Sequence, residues 1–423
     1  MTMSNKAYQF RLYPTPYQQN ELENIFGCCR FLWNQELNEH QTIYHQFKPL
    51  GGIPKGYKYK TEKEYKQIFP FLKNADSKAL QSVTANLWDA YERFFQNIKD
   101  RKKGITKRKV GLPHFKSKRN EQSYTTYNIN ENIKIDFEQK KIKVPKIDSW
   151  IRYKDNRQFL SPIRHITIRK TTYGQYFVSI LVEESIVDPI KQIDENQIEA
   201  FDMSAKEFLV SESTHLINPH FYRKQETKLK RLHRRVSRKK KGSSNRYKAR
   251  KRLAKKYQQI GNQKKDWMQK ITRKLTDQHD AIILEDLNIQ GMQKFNSGLS
   301  KSVTLDFSWY QFVTTLKYKM TWAGKHVMQV DRFFPSSQLC SVCGQKNNAL
   351  TLDQREWDCP LCHTHHHRDE NASKNLKKEG MRLLRSQGIV VTTVGTTGSH
   401  AWGDDVRPRS LEAVVGDPRI AHL

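Results

Sequence analysis

The sequence predicts an α/β protein with additional helical and β-barrel modules. Three features of the 423-residue chain support this fold class. Apolar residues recur at helical spacing up to about residue 100, then alternate every second residue between about 120 and 185. Beyond that, short apolar strands alternate with helical patterns, as in a mixed α/β unit. The length allows two to four domains with ample cores, so disulfide bonds are not needed for stability.

The N-terminal helical part begins with a capping signature. We expect Thr15 to be the N-cap, Pro16 the first helical residue and Gln18 the partner in a capping box. A loop rich in Gly, Pro, Lys and Tyr follows at 48–60. The apolar face of the first helix comprises Leu22, Ile25, Phe26, Cys29, Leu32, Trp33 and Leu37. A second helix is predicted to bury Leu87, Trp88, Tyr91, Phe94, Phe95 and Ile98.

A small, mostly β module follows, and we expect it to form a barrel. Alternating residues at 133–137 and 142–144 flank a polar turn, which predicts a hairpin. Further alternation at 166–168 and 176–182 adds strands. The polar stretch 188–196, which contains a proline, is interpreted as a domain boundary.

The charge predicts a polyanionic partner. The 75 Lys and Arg against 43 Asp and Glu give a net charge of +32, more than solubility requires. Residues 223–274 hold 23 Lys and Arg but two acids, and we predict two basic helices there with a break at 242–245. A solvated face is the alternative, but like charges at helical spacing repel, which favours a nucleic-acid phosphate backbone as the partner. The candidate contacts are Arg234, Arg235, Arg238, Lys239, Lys240, Lys241, Arg246, Arg250 and Arg252.

The sequence also indicates where such a protein resides. No apolar run approaches the length of a membrane span, and the first residues lack the apolar core of a signal peptide. The six cysteines lie in two tight groups, which does not resemble a disulfide framework. We therefore expect a cytoplasmic protein with reduced thiols, no membrane partner, and nucleoid association through DNA binding.

The second cysteine group predicts a structural zinc site. Two Cys-x-x-Cys knuckles can hold one Zn²⁺ tetrahedrally, and four protein ligands leave no position open for chemistry. Redox or disulfide pairs are the alternative. Four histidines follow at 363 and 365–367, and we expect them at the surface or at nucleic acid. The proposed ligands are Cys340, Cys343, Cys359 and Cys362.

Three acids lie next to apolar segments, where burying a carboxylate costs free energy. Asp202 follows a strand, Glu285 ends the apolar run Ile282-Ile283-Leu284, and Asp369 begins a helix. Each alone could be a helix cap or a solvated residue. Together, at one edge of a sheet, carboxylates can hold Mg²⁺, and such ions promote phosphodiester hydrolysis. The sequence therefore predicts metal-dependent cleavage of the polyanionic partner.

These residues resemble TnpB, the OrfB-type proteins of insertion sequences, which are related to compact type V CRISPR effectors. The similarity runs from the N-terminal Tyr-Gln-Phe-Arg-Leu-Tyr-Pro-Thr to the stretch 403–408. Its densest part spans Phe334-Pro335-Ser336-Ser337, both cysteine knuckles, Arg355-Glu356-Trp357 and Arg368-Asp369-x-Asn371-Ala372-x-x-Asn375.

The resemblance implies a split RuvC (RNase H-like) nuclease domain with an inserted zinc ribbon. It implies a wedge-like β-barrel module at 1–13 and 115–190 and a helical recognition module at 14–114. The nuclease domain would comprise 195–334 and 365–390, with the zinc ribbon at 335–364. For 391–423 we expect, from its weak periodicity, a disordered tail.

The resemblance also implies an activity, namely RNA-guided DNA cleavage beside a short transposon-adjacent motif. The guide RNA would come from the transposon end, the target would be double-stranded DNA, and we expect one protein per RNA. The catalytic carboxylates map to Asp202, Glu285 and Asp369, with Mg²⁺ as cofactor. Ser204 stands where the family's Asp-x-Gly motif has glycine; serine can occupy a tight turn, so we expect the site to be retained. A non-cutting DNA-binding regulator, an accessory transposase and a CRISPR-associated role remain alternatives.

Overall fold

The structure is a computed structural model that describes residues 2–203, 207–288, 291, 306–351 and 354–392. Ser204 and the predicted tail from residue 393 onward lie outside the described residues, and so does the stretch 292–305.

The N-terminal helices follow the predicted capping but differ in their packing. Helix α1 (Pro16–Phe47) begins with the expected capping box, in which Thr15 and Gln18 bond reciprocally. Helix α2 (Glu62–Ile68) was not predicted, and it has its own capping box at Thr61. Short 3-10 turns occupy Lys48–Leu50 and Pro70–Asn74.

The predicted stripe on the next helix, α3 (Ser77–Lys102), is wrong in its second half. Leu87 is buried, but Trp88 and Phe95 are 44% and 55% exposed. The buried residues of α3 all lie between Ala79 and Leu87, and no residue after Leu87 is fully buried although the helix continues to Lys102. The face is nevertheless partly covered, because Trp88 contacts the rings of His40 and Tyr59, and Tyr91 packs against the core.

Seven strands form one antiparallel sheet next to these helices. They are β1 (Thr2–Tyr13), β2 (Gln122–Tyr127), β3 (Lys134–Asp136), β4 (Lys141–Lys143), β5 (Ile151–Lys154), β6 (Ile163–Lys170) and β7 (Tyr176–Ile186). Their order is β2-β6-β7-β1-β5-β4-β3, and the predicted hairpin is β3–β4. The ladders form a row between β2 and β3, so the barrel stays a prediction. The sheet and the helices share one apolar core.

The second half of the described chain is an α/β unit. Its elements are β8 (Gln192–Asp194), β9 (Ile198–Phe201), β10 (Leu209–Val210), β11 (His215–Leu216), α4 (Glu226–Ser237), α5 (Ser244–Gln278), β12 (Ala281–Glu285), α6 (Trp309–Trp322), β13 (His326–Val330), β14 (Glu356–Asp358), β15 (His365–His367), α7 (Arg368–Ser386) and β16 (Val390–Thr392). A break separates the two basic helices as predicted, but it spans 238–243 and not 242–245, with Ser243 as the N-cap of α5.

A three-stranded parallel sheet lies at the centre of this unit, in the order β13-β12-β9. Side chains alternate along β12, so Ile282 and Leu284 face α5 and α6 while Ile283 faces α7. Helix α7 approaches the sheet closely at Gly380, where an added Cβ would clash with Ile283. Glycine is therefore needed at this position for α7 to lie on the sheet.

Two short strands lie within the stretch predicted as a domain boundary and at the start of the predicted tail. The stretch 188–196, expected to separate domains, contains β8, which pairs in parallel with β16. Because β16 ends at Thr392, the first two residues of the predicted tail belong to this ladder. Across the described ranges, no helix is long and apolar enough to cross a membrane.

Candidate active site

The three acids lie where parallel strands bring their carboxyl ends together. Glu285 is the last residue of β12, and Leu284 pairs with Phe201, so Asp202 follows at the neighbouring position. The backbone of Asp202 is fixed by two hydrogen bonds with Val210, of 2.8 and 2.9 Å. Asp369 lies in the first turn of α7, which packs against β9 and β12. Strand register and helix placement thus direct three separate segments to one edge.

All three acids line one open cavity of about 480 Å³. Their oxygens do not form a closed metal cage: within the described ranges, only the four cysteines have ligand atoms that all lie within 4.8 Å of one another. The rim of the cavity is basic. Its cationic members are Arg332, Lys346, Arg355 and Arg368.

The carboxyl group of Asp202 is electrostatically strained. Burial, followed by the charges of Asp369 and Glu285, raises its pKa to about 7. The side chain keeps some accessible surface because it faces the cavity, although protein atoms surround it densely. Burial also raises the pKa of Glu285, with a smaller contribution from Asp286. A site that raises the pKa of its acids is one in which a cation would relieve repulsion.

Asp369 is held by a cation of the chain itself. Nη1 of Arg355 donates to both carboxylate oxygens of Asp369, at 3.0 and 3.2 Å. The Arg355 side chain is 47% exposed, whereas that of Asp369 is 11% exposed. The guanidinium therefore reaches down from the rim, and any divalent ion at Asp369 competes with it.

The four predicted cysteines come together as one cluster. The Sγ atoms of Cys340 and Cys362 are 3.6 Å apart, and those of Cys343 and Cys359 are 3.5 Å apart. Four sulfurs bound tetrahedrally at about 2.3 Å from Zn²⁺ would be roughly 3.8 Å apart, so the cluster fits zinc. All four are free thiols, so the alternative of disulfide pairs does not describe this structure.

His366 differs from the expectation of a surface histidine. It is 6% exposed, and its ring lies 4.8 Å from that of Trp357, its cross-strand partner. Its Nε2 lies 3.0 Å from Sγ of Cys340. The strand alternation of β15 explains the difference, because the middle of three consecutive histidines must face inward.

Helix α7 is fastened to the first cysteine knuckle by two asparagines. Asn371 Nδ2 donates to the Leu339 carbonyl at 2.7 Å, and its Oδ1 accepts from the Ser341 backbone at 2.9 Å. Asn375 Nδ2 donates to the carbonyls of Ser336 and Leu339. Four hydrogen bonds therefore join the helix that carries Asp369 to the segment of the first cysteine knuckle.

The predicted nucleic-acid contacts lie around the turn between α4 and α5. All are exposed except Arg246, which is half-buried and donates to the carbonyls of Val236 and Lys239. Arg246 therefore closes the turn. Lys241, Arg246 and Arg250 also line a second cavity of about 630 Å³, which Arg119 completes from the loop before β2.

Sequence reasoning missed the basic rim and the fastening asparagines. Arg355, Arg368, Asn371 and Asn375 stood inside the quoted motifs, yet their roles depend on tertiary contacts. Arg332 lies two residues before the quoted motif that begins at Phe334, and it pairs with Asp286. The only sequence signal for these cations and asparagines was the dense run of polar residues around the two cysteine knuckles.

Comparison with known proteins starts from three family models. The OrfB_IS605 model, described as "Probable transposase", matches residues 179–296. A Cas12f1-like TNB domain matches 309–376, and an IS605 OrfB "Helix-turn-helix domain" matches 1–49, where this structure has β1 and one long helix. Together these matches show that three parts of the chain are similar to insertion-sequence proteins of the OrfB type and to Cas12f1-like proteins.

Curated relatives extend that similarity. A Streptomyces pristinaespiralis protein named "Putative RNA-guided DNA endonuclease" is 26% identical over 98% of this chain and 95% of its own. An Escherichia coli K12 protein, named "Putative RNA-guided DNA endonuclease InsQ", is 28% identical over 90% of this chain and 93% of its own. A mimivirus "TnpB-like protein" is 29% identical over 31% of this chain and 25% of its own. The resemblance to the TnpB family is thereby confirmed.

Among solved structures, a Cas12f1–sgRNA–target DNA complex aligns with a TM-score of 0.46 at 12% identity, covering 89% of this chain and 99% of that one. The mini-RNA-guided endonuclease CRISPR-Cas_phi3 aligns with a TM-score of 0.41 at 9% identity, covering 89% of this chain and 92% of that one.

Proposed function

We propose that this protein is an RNA-guided DNA endonuclease of an insertion sequence, which hydrolyses DNA in a metal-dependent reaction. The observation that carries the proposal is the single cavity shared by Asp202, Glu285 and Asp369 in a chain of net charge +32. An acidic focus in a basic protein is explained if cations bind there and a polyanion lies across them. The names of the full-length relatives point to the same activity.

In this proposal the acidic residues of the cavity bind metal ions and the basic residues bind phosphates. The three carboxylates provide hard oxygen ligands of the kind that Mg²⁺ prefers. The raised pKa values of Asp202 and Glu285 indicate that a cation would stabilise their charged forms. When bound, magnesium would activate water and stabilise the leaving oxygen of a phosphodiester. The arginines and the lysine of the rim would hold the flanking phosphates, because guanidinium groups pair with phosphate oxygens bidentately.

The cysteine cluster would hold structural Zn²⁺ and position Asp369. Through Asn371 and Asn375 it sets where α7 begins, and therefore where the third carboxylate lies. On this proposal, residues 195–334 and 365–390 form a RuvC-like domain that the zinc ribbon at 335–364 interrupts. Residues 1–13 and 115–190 would be the wedge-like module, and 14–114 the recognition module.

The basic turn between α4 and α5 would bind nucleic acid through its backbone. Guide pairing would then read the target sequence, and the protein would hold the heteroduplex by shape and charge. We propose a guide RNA from the transposon end and double-stranded target DNA as the partners. Binding would weaken steeply with salt, since each phosphate contact releases a counterion.

The test is cleavage of a target plasmid by the protein with its co-purified RNA and Mg²⁺. We expect Asp202→Ala, Glu285→Ala and Asp369→Ala each to abolish cutting while DNA binding persists. Asp266→Ala is the matched control, because this acid lies on the exposed side of α5. Normal cutting by any of the three variants would refute the assignment. Protection of the target without cutting by the wild-type protein would instead favour a regulator.

A further inference from the structure

A large apolar side chain stands exposed at the rim of the acidic cavity. Phe333 is 86% exposed and lines the same cavity as the three carboxylates. It belongs to the loop that leaves β13, at the same sheet edge as Glu285. An isolated exposed aromatic is unremarkable, but one beside a cluster of acids and cations is in a position to act on a ligand.

The local backbone fixes Phe333 in this outward position. Its N–H donates to Oδ1 of Asp331 at 2.8 Å, and the N–H of Phe334 donates to the Asp331 carbonyl at 3.0 Å. This is a tight turn closed by an aspartate side chain. Phe334 packs against the core under the sheet, so the turn places one ring inside and the next one outside. The ring of Phe333 is therefore presented by a defined loop.

The chemistry of the surroundings identifies what the ring can bind. Cations on the rim suit phosphates, and an aromatic face suits a planar base, which together match the pattern of single-stranded nucleic-acid sites. A duplex keeps its bases stacked on each other, so an unpaired strand is the form whose base could reach Phe333. We propose that Phe333 stacks on a nucleobase of the unpaired DNA strand beside the scissile phosphate. This inference rests on the proposed nuclease function.

The experiment uses the protein–RNA complex and a single-stranded DNA that does not pair with the guide RNA and carries 2-aminopurine at successive positions. Ca²⁺ replaces Mg²⁺ so that binding can be read separately from cutting. We expect the fluorescence to be quenched at one position in the wild-type complex and in Phe333→Tyr. Quenching should be lost in Phe333→Ala and Phe333→Leu, and Phe333→Ala should bind the strand roughly five- to 150-fold more weakly, the effect of losing one base stack.

Leu160→Ala is the matched control, since Leu160 is a fully exposed apolar residue of the β module and away from the cavity. An abasic nucleotide at the quenched position should weaken binding by the wild type but not by Phe333→Ala. Quenching that is equal in Phe333→Ala and wild type, or lost equally in Phe333→Tyr, overturns the proposal. Failure of the wild type to cut any target, with Phe333-dependent quenching intact, overturns the nuclease function and leaves the stacking site standing.

Discussion

Neutralising Asp202 should stabilise the folded protein, and the gain should grow with pH. Burial and the neighbouring carboxylates raise the pKa of Asp202 from 3.8 to about 7. Between these values the unfolded chain has lost this proton while the folded chain keeps it, so stability falls as pH rises. Above about pH 7 both states are ionised, and the penalty stays at its full value.

The shift of about three pKa units corresponds to about 4 kcal/mol at most, at 1.36 kcal/mol per unit. Asp202→Asn removes the penalty and keeps the shape of the side chain. In metal-free buffer we expect the variant to exceed the wild type by up to about 4 kcal/mol at pH 8 and by about 1.5 kcal/mol at pH 5. Residues that serve function often destabilise the fold in this way.

Urea unfolding of both proteins at pH 5 and pH 8 measures this difference. Asp148→Asn, which neutralises an exposed carboxylate, is the control and should show no pH-dependent gap. Added Mg²⁺ should stabilise the wild type more than Asp202→Asn, because only the wild type keeps the charged ligand. A gap that is equal at the two pH values, or an asparagine variant that is less stable at pH 8, would refute the electrostatic reasoning.

Three further predictions concern the surroundings of the acids. Arg355→Gln should lower the Mn²⁺ concentration for half-maximal binding by roughly two- to fivefold, since it frees Asp369 from a half-exposed ion pair; calorimetry measures this. His366→Phe should speed zinc transfer to a chromogenic chelator about 10- to 100-fold, because Cys340 loses the buried ring nitrogen that lies 3.0 Å from its Sγ. Gly380→Ala should destabilise the protein by about 1–3 kcal/mol and lower cleavage, as α7 is pushed off the sheet; thermal unfolding and nicking rates report both.

Each of these has a control and an opposing result. Arg382→Gln removes an arginine paired with Glu379 elsewhere on α7, so it should leave Mn²⁺ binding unchanged. His365→Phe removes an exposed neighbour of His366 and should leave zinc transfer unchanged. Gly388→Ala tests a glycine at positive φ with open space around it, so strain alone should not reduce cleavage. Equal effects in a variant and its control would contradict the corresponding contact.

That Asp202 and Glu285 lie at the same edge of the sheet could be predicted, because this depends only on where two parallel strands end. Asp202 and Glu285 each end an apolar run, and parallel strands end at the same edge. The ion pair of Asp369 with Arg355 could not be predicted, because it depends on how the knuckles pack on α7. The cysteine cluster was predictable from spacing alone, whereas the burial of His366 follows from one strand of three residues.

Two helical errors have simple physical causes. The apolar period of α3 predicts a buried stripe, but periodicity does not say how far the neighbouring sheet extends. Trp88 and Phe95 therefore came out exposed. Helix α2 was missed because its seven residues are too few for a periodic signal, and only the Thr61–Glu64 capping box marks it.

The parallel ladder between β8 and β16 has a consequence for how the protein is made. β8 and β9 are synthesised early, but α7 and β16, which cover them, come almost two hundred residues later. Until then the apolar face around Ile283 is exposed to water, and the cavity that holds Asp202 and Glu285 lacks Asp369. A nascent chain on the ribosome therefore holds only two of the three carboxylates of the acidic cavity until α7 has been synthesised.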